Sequence, residues 1–160
     1  GVSIHHAGWM VAAFEISGIV GMLVAGWATD RFFGGRGPRV CVICMALATV
    51  FVALFWGISQ PPMWLATLLL GAAGFCIYGP QALVGIAAAN IATKKAAATA
   101  VGFTGLFGYA STLVSGWGLG LLAQHYGWNI AVGALILIAI MGTLIFMAAW
   151  SAKANGYDND

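Results

Sequence analysis

Long runs of apolar residues alternate along this chain with short connections that are polar or rich in glycine and proline. Each run has about 19 residues or more, and at about 1.5 Å per residue such a helix crosses a hydrocarbon core of about 30 Å. The pattern predicts five membrane-spanning helices, over about residues 7–28, 39–57, 64–89, 98–123 and 128–150.

The composition supports the same fold class. Of the 160 residues, 62% are hydrophobic and only 6% are charged, whereas soluble domains have about 25% charged residues. So few charges could not cover the surface of a soluble domain, and lipid removes that requirement. We predict an all-α membrane protein of five transmembrane helices. Residues 1–6 contain neither a starting Met nor a basic region, so we expect a piece of a longer protein whose N-terminal half is absent.

The basic residues predict how the helices are oriented. Five crossings place the two ends of the chain on opposite sides, and every basic residue then falls on the side of the C-terminus: Arg31, Arg36, Arg39, Lys94, Lys95 and Lys153. Basic residues mark the cytoplasmic side of a membrane protein. We therefore expect residue 1 outside, residue 160 in the cytoplasm, and a location in the inner (cytoplasmic) membrane.

Glu15 is the only acidic residue inside a predicted span. It lies about 12 Å below the outer edge of the first helix, where a carboxylate must face a cavity, pair with a cation or be protonated. No Lys or Arg lies at that depth, so we expect its partner outside this sequence. The alternatives are a functional charge and a structural ion pair between helices.

Two tyrosines and a glutamine lie near the centres of the third and fourth spans. The segment Tyr78–Gln81 includes Pro80, which predicts a kink, and discontinuous helices near the midplane often form transporter sites. Tyr109 lies at a similar depth on the next helix. A phenol can donate to a phosphate oxygen, so Tyr78, Tyr109 and Gln81 are candidate substrate ligands. The alternative is that they are core residues whose polar groups are satisfied by neighbours.

Other reactive residues do not form a site. Cys41 and Cys44 form a CxxC inside an apolar span, without a second pair of metal ligands. Cys76 is another small residue inside an apolar span. We interpret all three as core residues and predict no metal site. The sequence contains no nucleophile–base pair and no phosphate-binding loop, so we expect neither an enzyme nor a cofactor, and no nucleic-acid partner.

A short motif follows the first span. Gly26, Asp30 and Arg31 lead into a glycine turn at Gly34, with Arg36 after it. An acid at the cytoplasmic end of a helix, followed by Arg, can hold neighbouring helices by an ion pair. The motif resembles the cytoplasmic-loop signature G-x-x-x-D-R…G-R of major facilitator transporters, with one extra residue before the second Arg.

Three further segments are similar to the organophosphate:phosphate antiporter family: Ile77–Gln81, Lys94–Ala97 and Gly102–Tyr109. The resemblance covers essentially the whole chain. It implies that the five spans are helices eight to twelve of a twelve-helix transporter, which exchanges a phosphorylated small molecule for inorganic phosphate by rocking of two halves.

The resemblance also implies residue roles. In such transporters two arginines, from the first and seventh helices, hold the phosphoryl group, and those helices are absent here. Glu15 matches an acid of a charge network, whereas Tyr78 and Tyr109 match tyrosines that line the cavity. The implied partners are an organophosphate (glycerol 3-phosphate, a sugar phosphate or phosphoglycerate), inorganic phosphate, the lipid bilayer and the N-terminal half. A sensor of sugar phosphate with the same fold, or a major facilitator transporter of another solute, remain alternatives.

Overall fold

The structure is a computed structural model that describes residues 4–92 and 95–152. Its regular elements are five α-helices: α1 (Ile4–Phe33), α2 (Gly37–Gly57), α3 (Met63–Ile91), α4 (Ala97–Tyr126) and α5 (Trp128–Ala148). Each is long and apolar enough to cross a membrane. The predicted all-α architecture with five spans is therefore confirmed.

Helix α1 continues about a turn beyond residue 28, where the sequence predicted its end. The polar residues Thr29, Asp30 and Arg31 are compatible with a helix and do not end it. It ends where the backbone changes, at Gly34 and Gly35, with φ of +56° and +75°. That region favours glycine because it has no Cβ. The Gly35 amide donates to the Thr29 carbonyl at 3.1 Å, which satisfies one of the last acceptors of the helix.

A single residue joins α4 to α5. Helix α4 extends to Tyr126, three residues past the expected end, and α5 begins at Trp128. Gly127 between them has φ of +86°, and its amide closes α4 on the Ala123 carbonyl at 3.1 Å. The reversal therefore depends on this one glycine, and α4 and α5 are neighbours.

Helix α3 lies at the centre of the bundle. It contacts α1, α2 and α4, with the most extensive contact on α1. Small residues allow that contact, since a Cβ at Gly74 would overlap the Phe14 carbonyl and one at Gly21 would overlap the backbone of Phe75. Helix α3 also continues through Pro80 without a break. Close backbone approach of this kind is how helices pack in lipid.

Helix α4 is the most open element. None of its described residues is buried. Five glycines of α4 form two rows at spacings of three or four residues. Apart from its chain neighbours and the local backbone of its own helix, a Cβ added at any of them would have no atom within 4 Å: Gly102, Gly105, Gly108, Gly116 and Gly120. Within the described part of the chain, α4 therefore contacts only α3 and α5.

Polar contacts join α2 to α5 at one end of the bundle and to Trp150, two residues beyond α5, at the other. At one end the Trp56 indole donates to the Asn129 side chain at 3.2 Å. At the other, the Arg39 guanidinium lies 5.4 Å from the Trp150 ring centre and donates to the Trp150 carbonyl at 3.4 Å. We call this second end, where α1 and α3 finish and α2 and α4 begin, the basic end.

The described basic residues all lie at the basic end: Arg31, Arg36, Arg39 and Lys95. Lys94 and Lys153, which the sequence places on the same side, lie outside the described residues. The asymmetry of charge on which the orientation depends is therefore present between the two ends of the folded bundle.

Candidate functional site

Glu15 and Tyr78 form a hydrogen bond across the α1–α3 contact. The Tyr78 hydroxyl donates to Glu15 Oε2 at 2.5 Å, a length typical of a hydroxyl bound to a carboxylate. Within the described chain the hydrogen-bond partner of Glu15 is thus a neutral donor, and a cationic partner outside this sequence stays a prediction. The pairing also gives the single proton of the Tyr78 hydroxyl an acceptor, so a substrate oxygen could receive it only if the bond to Glu15 broke.

The Tyr78 ring is held from the side of α1. Phe14 packs against it edge to face, with ring centres 5.9 Å apart and planes at 73°. Gly18 lies under the ring, where an added Cβ would come within 2.7 Å of Cδ2 and 2.8 Å of Cγ. Phe14 and Glu15 lie four and three residues before Gly18, so each is a neighbour of Gly18 on the surface of α1. Neighbouring residues of α1 therefore provide both the support of the ring and the acceptor of its hydroxyl.

Gln81 and Tyr109 both line a groove between α3 and α4, which we call the α3–α4 groove. Its volume is about 440 Å³, and Thr104 and Thr112 also line it. The two threonine hydroxyls donate to carbonyls of their own helix, at 2.9 and 3.0 Å. The Tyr109 side chain is 79% exposed. Gln81 and Tyr109 thus contribute polar side chains to a groove whose described lining has no charged residue.

The structure separates Tyr78 from the other two candidates. Tyr78 and Gln81 are three residues apart, a spacing at which they can share a face, yet Tyr78 turns to α1 and Gln81 lines the α3–α4 groove. The difference arises because α3 lies between two helices. A shift of 60° around its axis is enough to give neighbouring polar residues different partners.

A larger cavity, of about 850 Å³, lies between α1, α2 and α3. Its lining is mostly apolar, with the Trp64 indole and two hydroxyls, of Ser17 and Thr67, that donate to backbone carbonyls. The Ser17 hydroxyl also lies 2.7 Å from the Gly71 carbonyl of α3. The lining of this cavity contains neither an amide nor a phenol side chain, whereas both line the α3–α4 groove, so we place the candidate site at the smaller α3–α4 groove.

The predicted loop motif is helical over most of its length, which corrects its placement in a loop. Gly26, Asp30 and Arg31 belong to the last turns of α1, Gly34 makes the turn, and Arg36 directly precedes α2. Polar residues at a helix end look like a loop in sequence, whereas the helix ends only at Gly34.

Asp30 lines a small cavity of about 150 Å³ at the basic end of the bundle. Gly26 and Asn90 line it too. No basic residue of the described chain lines this cavity. The ion-pair latch that the motif suggested is therefore not formed around it by the residues described.

The three cysteines are placed as core residues. Cys41 and Cys76 are buried, and Cys44 is half-buried. Over residues 4–92 and 95–152, no group of three or more His, Cys, Asp or Glu side chains could hold a metal ion. Gly79 of α3 approaches Cys44 closely, since an added Cβ would lie 3.4 Å from its sulfur. The CxxC therefore packs at the α2–α3 contact.

Comparison with known proteins decides the family. A family model described as the Major Facilitator Superfamily matches residues 1–156. The chain belongs to the Major Facilitator Superfamily. The five apolar helices accordingly make it a multi-pass membrane protein.

Three relatives refine the assignment. A probable hexose phosphate transport protein of Chlamydia pneumoniae is 39% identical over 91% of this chain and 32% of its own length. A glycerol-3-phosphate transporter of Haemophilus influenzae is 34% identical over 91% of this chain and 35% of its own length. A membrane sensor protein, UhpC, of Salmonella typhimurium is 32% identical over 96% and 35% respectively.

These matches confirm the resemblance to the organophosphate:phosphate antiporter family within the superfamily. The chain spans about a third of the length of each of the three relatives. Transport and sensing are thus both represented among its relatives.

Sequence reasoning missed some members of the site. Phe14 and Gly18 carried no polar signal, and their role depends on contact with a residue 60 positions or more away. Thr112 could have been found, since it is three residues from Tyr109 and so shares its helical face. The Glu15–Tyr78 bond joins residues 63 apart in sequence, and no local pattern indicates it.

Proposed function

We propose that the chain is part of a secondary active transporter that exchanges a phosphorylated small molecule for inorganic phosphate by alternating access. The observation that carries the proposal is the α3–α4 groove, because it offers hydrogen-bonding groups near the middle of two spans of a Major Facilitator protein. Polar groups at such a depth are costly unless they serve a solute pathway or satisfy one another.

The groove suits the organic part of the substrate better than its phosphoryl group. Gln81 can both donate and accept, and the Tyr109 hydroxyl can do the same. The described lining contains no Lys or Arg, whereas a phosphoryl group is best held by cations such as the bidentate Arg fork. We therefore propose that Gln81 and Tyr109 contact the sugar or glycerol portion.

The cations for the phosphoryl group would come from the rest of the transporter. All Lys and Arg of the described chain lie at the basic end, outside the groove. We propose that this chain supplies helices eight to twelve, and that arginines of the first and seventh helices complete the site, as the resemblance implies. Glu15 would join their charge network from the face of α1.

The basic end would face the cytoplasm. The positive-inside rule assigns the side with excess Lys and Arg to the cytoplasm, and Arg31, Arg36, Arg39 and Lys95 share one end of the bundle. We propose a location in the inner membrane with the start of α1 outside. Transport of this kind uses bound solutes and helix motion, and we propose no enzymatic step.

A sensor is the second candidate, and a specific observation favours it. The relative described as a membrane sensor protein aligns with 96% of this chain. A sensor would bind a sugar phosphate in the same groove, and the change of conformation would be its output instead of net exchange.

Exchange in proteoliposomes tests the proposal. Vesicles that contain the complete protein would be loaded with labelled inorganic phosphate and then offered glucose 6-phosphate, glycerol 3-phosphate or phosphoglycerate outside. We expect rapid efflux of label with at least one of them and none in its absence. Binding without efflux would favour the sensor, and neither binding nor efflux would favour a transporter of another solute.

A further inference from the structure

The Glu15 carboxylate is placed on an exposed face of α1, and Tyr78 is its one described hydrogen-bond donor. Glutamate has several accessible rotamers, so a carboxylate without a fixed donor would move. The 2.5 Å bond holds Oε2 over α3. The position of the negative charge relative to the groove therefore depends on where the Tyr78 hydroxyl is.

The position of that hydroxyl depends in turn on α1. Gly18 is buried, and a methyl group there would lie within 2.8 Å of the Tyr78 Cγ, which is the fixed base of the ring. Rotation of the ring about its own axis could not relieve such a contact. Either the side chain would change its rotamer or α1 and α3 would separate, and each would remove the hydroxyl from Glu15.

Phe14 restricts the ring from a second direction through its edge-to-face contact. Together these residues form a support that we call the Glu15 support, defined as Phe14, Gly18 and Tyr78. Nothing in this arrangement requires the Tyr78 hydroxyl to touch a solute. Its only proton is already donated to a carboxylate, so a direct role would first need that bond to break.

We propose that Tyr78 and Gly18 are positioning residues, which act on transport by fixing the Glu15 carboxylate and not by contacting the substrate. The inference rests on the proposed exchange function and adds to it. A fixed charge on α1 matters when helices change partners during the transport cycle. The substrate itself is contacted in the α3–α4 groove, where Gln81 and Tyr109 lie.

Steady-state exchange by the complete protein in proteoliposomes tests the proposal, because it separates kcat from KM. Tyr78→Phe keeps the ring and its contacts with Phe14 and Gly18 but removes the hydroxyl. We expect kcat to fall about ten-fold with KM changed less than about two-fold. Glu15→Gln should show the same split, and the double variant should be no slower than Glu15→Gln alone.

Gly18→Ala probes the support from the other helix, with Gly8→Ala as its matched control, since Gly8 has nothing within 4 Å of an added Cβ. Gly18→Ala should lower kcat in the wild-type background but not further in the Tyr78→Phe background. Gly8→Ala should leave both constants unchanged. Thermal unfolding of each variant separates loss of folded protein from loss of turnover.

Two results would overturn the inference while leaving exchange intact. One is a rise of KM in Tyr78→Phe with kcat retained, which would make Tyr78 a substrate ligand. The other is a multiplicative loss in the Tyr78→Phe/Glu15→Gln double variant, which would mean that the two residues act separately. Absence of exchange by the wild-type protein would instead reject the proposed function, and this inference with it.

Discussion

Tyr109→Phe is the most direct test of the α3–α4 groove. The substitution removes one hydroxyl and keeps the ring. Tyr109 is 79% exposed and its hydroxyl has no hydrogen-bond partner among the residues that the structure describes. The substitution should therefore leave the stability of this bundle unchanged, and any effect on transport would come from a lost contact with the solute.

The expected magnitude depends on which part of the solute the hydroxyl contacts. A hydrogen bond between neutral groups contributes about 0.5–1.5 kcal/mol, and one to a charged group about 1.5–3 kcal/mol. These energies correspond to losses of affinity of about 2- to 13-fold and about 13- to 160-fold. Because no cation lines the groove among the described residues, we expect the smaller range, from contact with the organic portion.

Half-saturation for two solutes distinguishes the cases. In the proposed transporter, homologous exchange of inorganic phosphate would use the phosphoryl contacts alone, whereas exchange of the organophosphate would use contacts to both of its portions. We expect Tyr109→Phe to weaken only the organophosphate. Equal losses of affinity for both solutes would indicate that Tyr109 contacts the phosphoryl group.

The matched control for Tyr109→Phe is Tyr126→Phe. It changes the same residue type on α4, where Tyr126 is exposed outside the groove, and it should have no effect. Unchanged half-saturation for both solutes in Tyr109→Phe would refute the assignment of the groove.

Three further outcomes follow from the same geometry. Gln81→Leu should weaken organophosphate affinity about 2- to 13-fold, and a variant with wild-type half-saturation would show that the amide faces no solute. Glu15→Gln should reduce turnover more than affinity, and wild-type exchange rates in that variant would show that the charge is dispensable. Gly74→Ala places a methyl group against the Phe14 carbonyl and should destabilise the bundle by about 1–3 kcal/mol, measured as a lower Tm; an unchanged Tm would mean that α1 and α3 can separate at little cost.

Features that depend on residues close together in the sequence could be predicted from the sequence alone. Apolar runs of sufficient length determined five spans, because a helix in lipid satisfies its own backbone groups whatever its neighbours are. The clustering of Arg31, Arg36 and Arg39 predicted a charged end, and this end is present in the fold. The motifs of α3 and α4 indicated the family, which the comparisons confirm.

Helix ends were less predictable, and the reason is local. Asp30 and Arg31 look like loop residues, yet polar side chains at a membrane surface are compatible with a helix. What stops α1 is the positive φ at Gly34 and Gly35. The glycine pair was visible in the sequence, but the residue at which the backbone leaves the helix was not.

Only the tertiary structure decided which polar residues act together. No pattern in the sequence indicated a partner for Glu15 within this chain, and the fold pairs it with the hydroxyl of Tyr78. Gln81, three residues further along α3, lines the α3–α4 groove together with Tyr109. Such pairings depend on how far each helix is rotated and how closely it crosses its neighbours. Small residues such as Gly18 and Gly74 determine those approaches, and their effect appears only when the helices are packed.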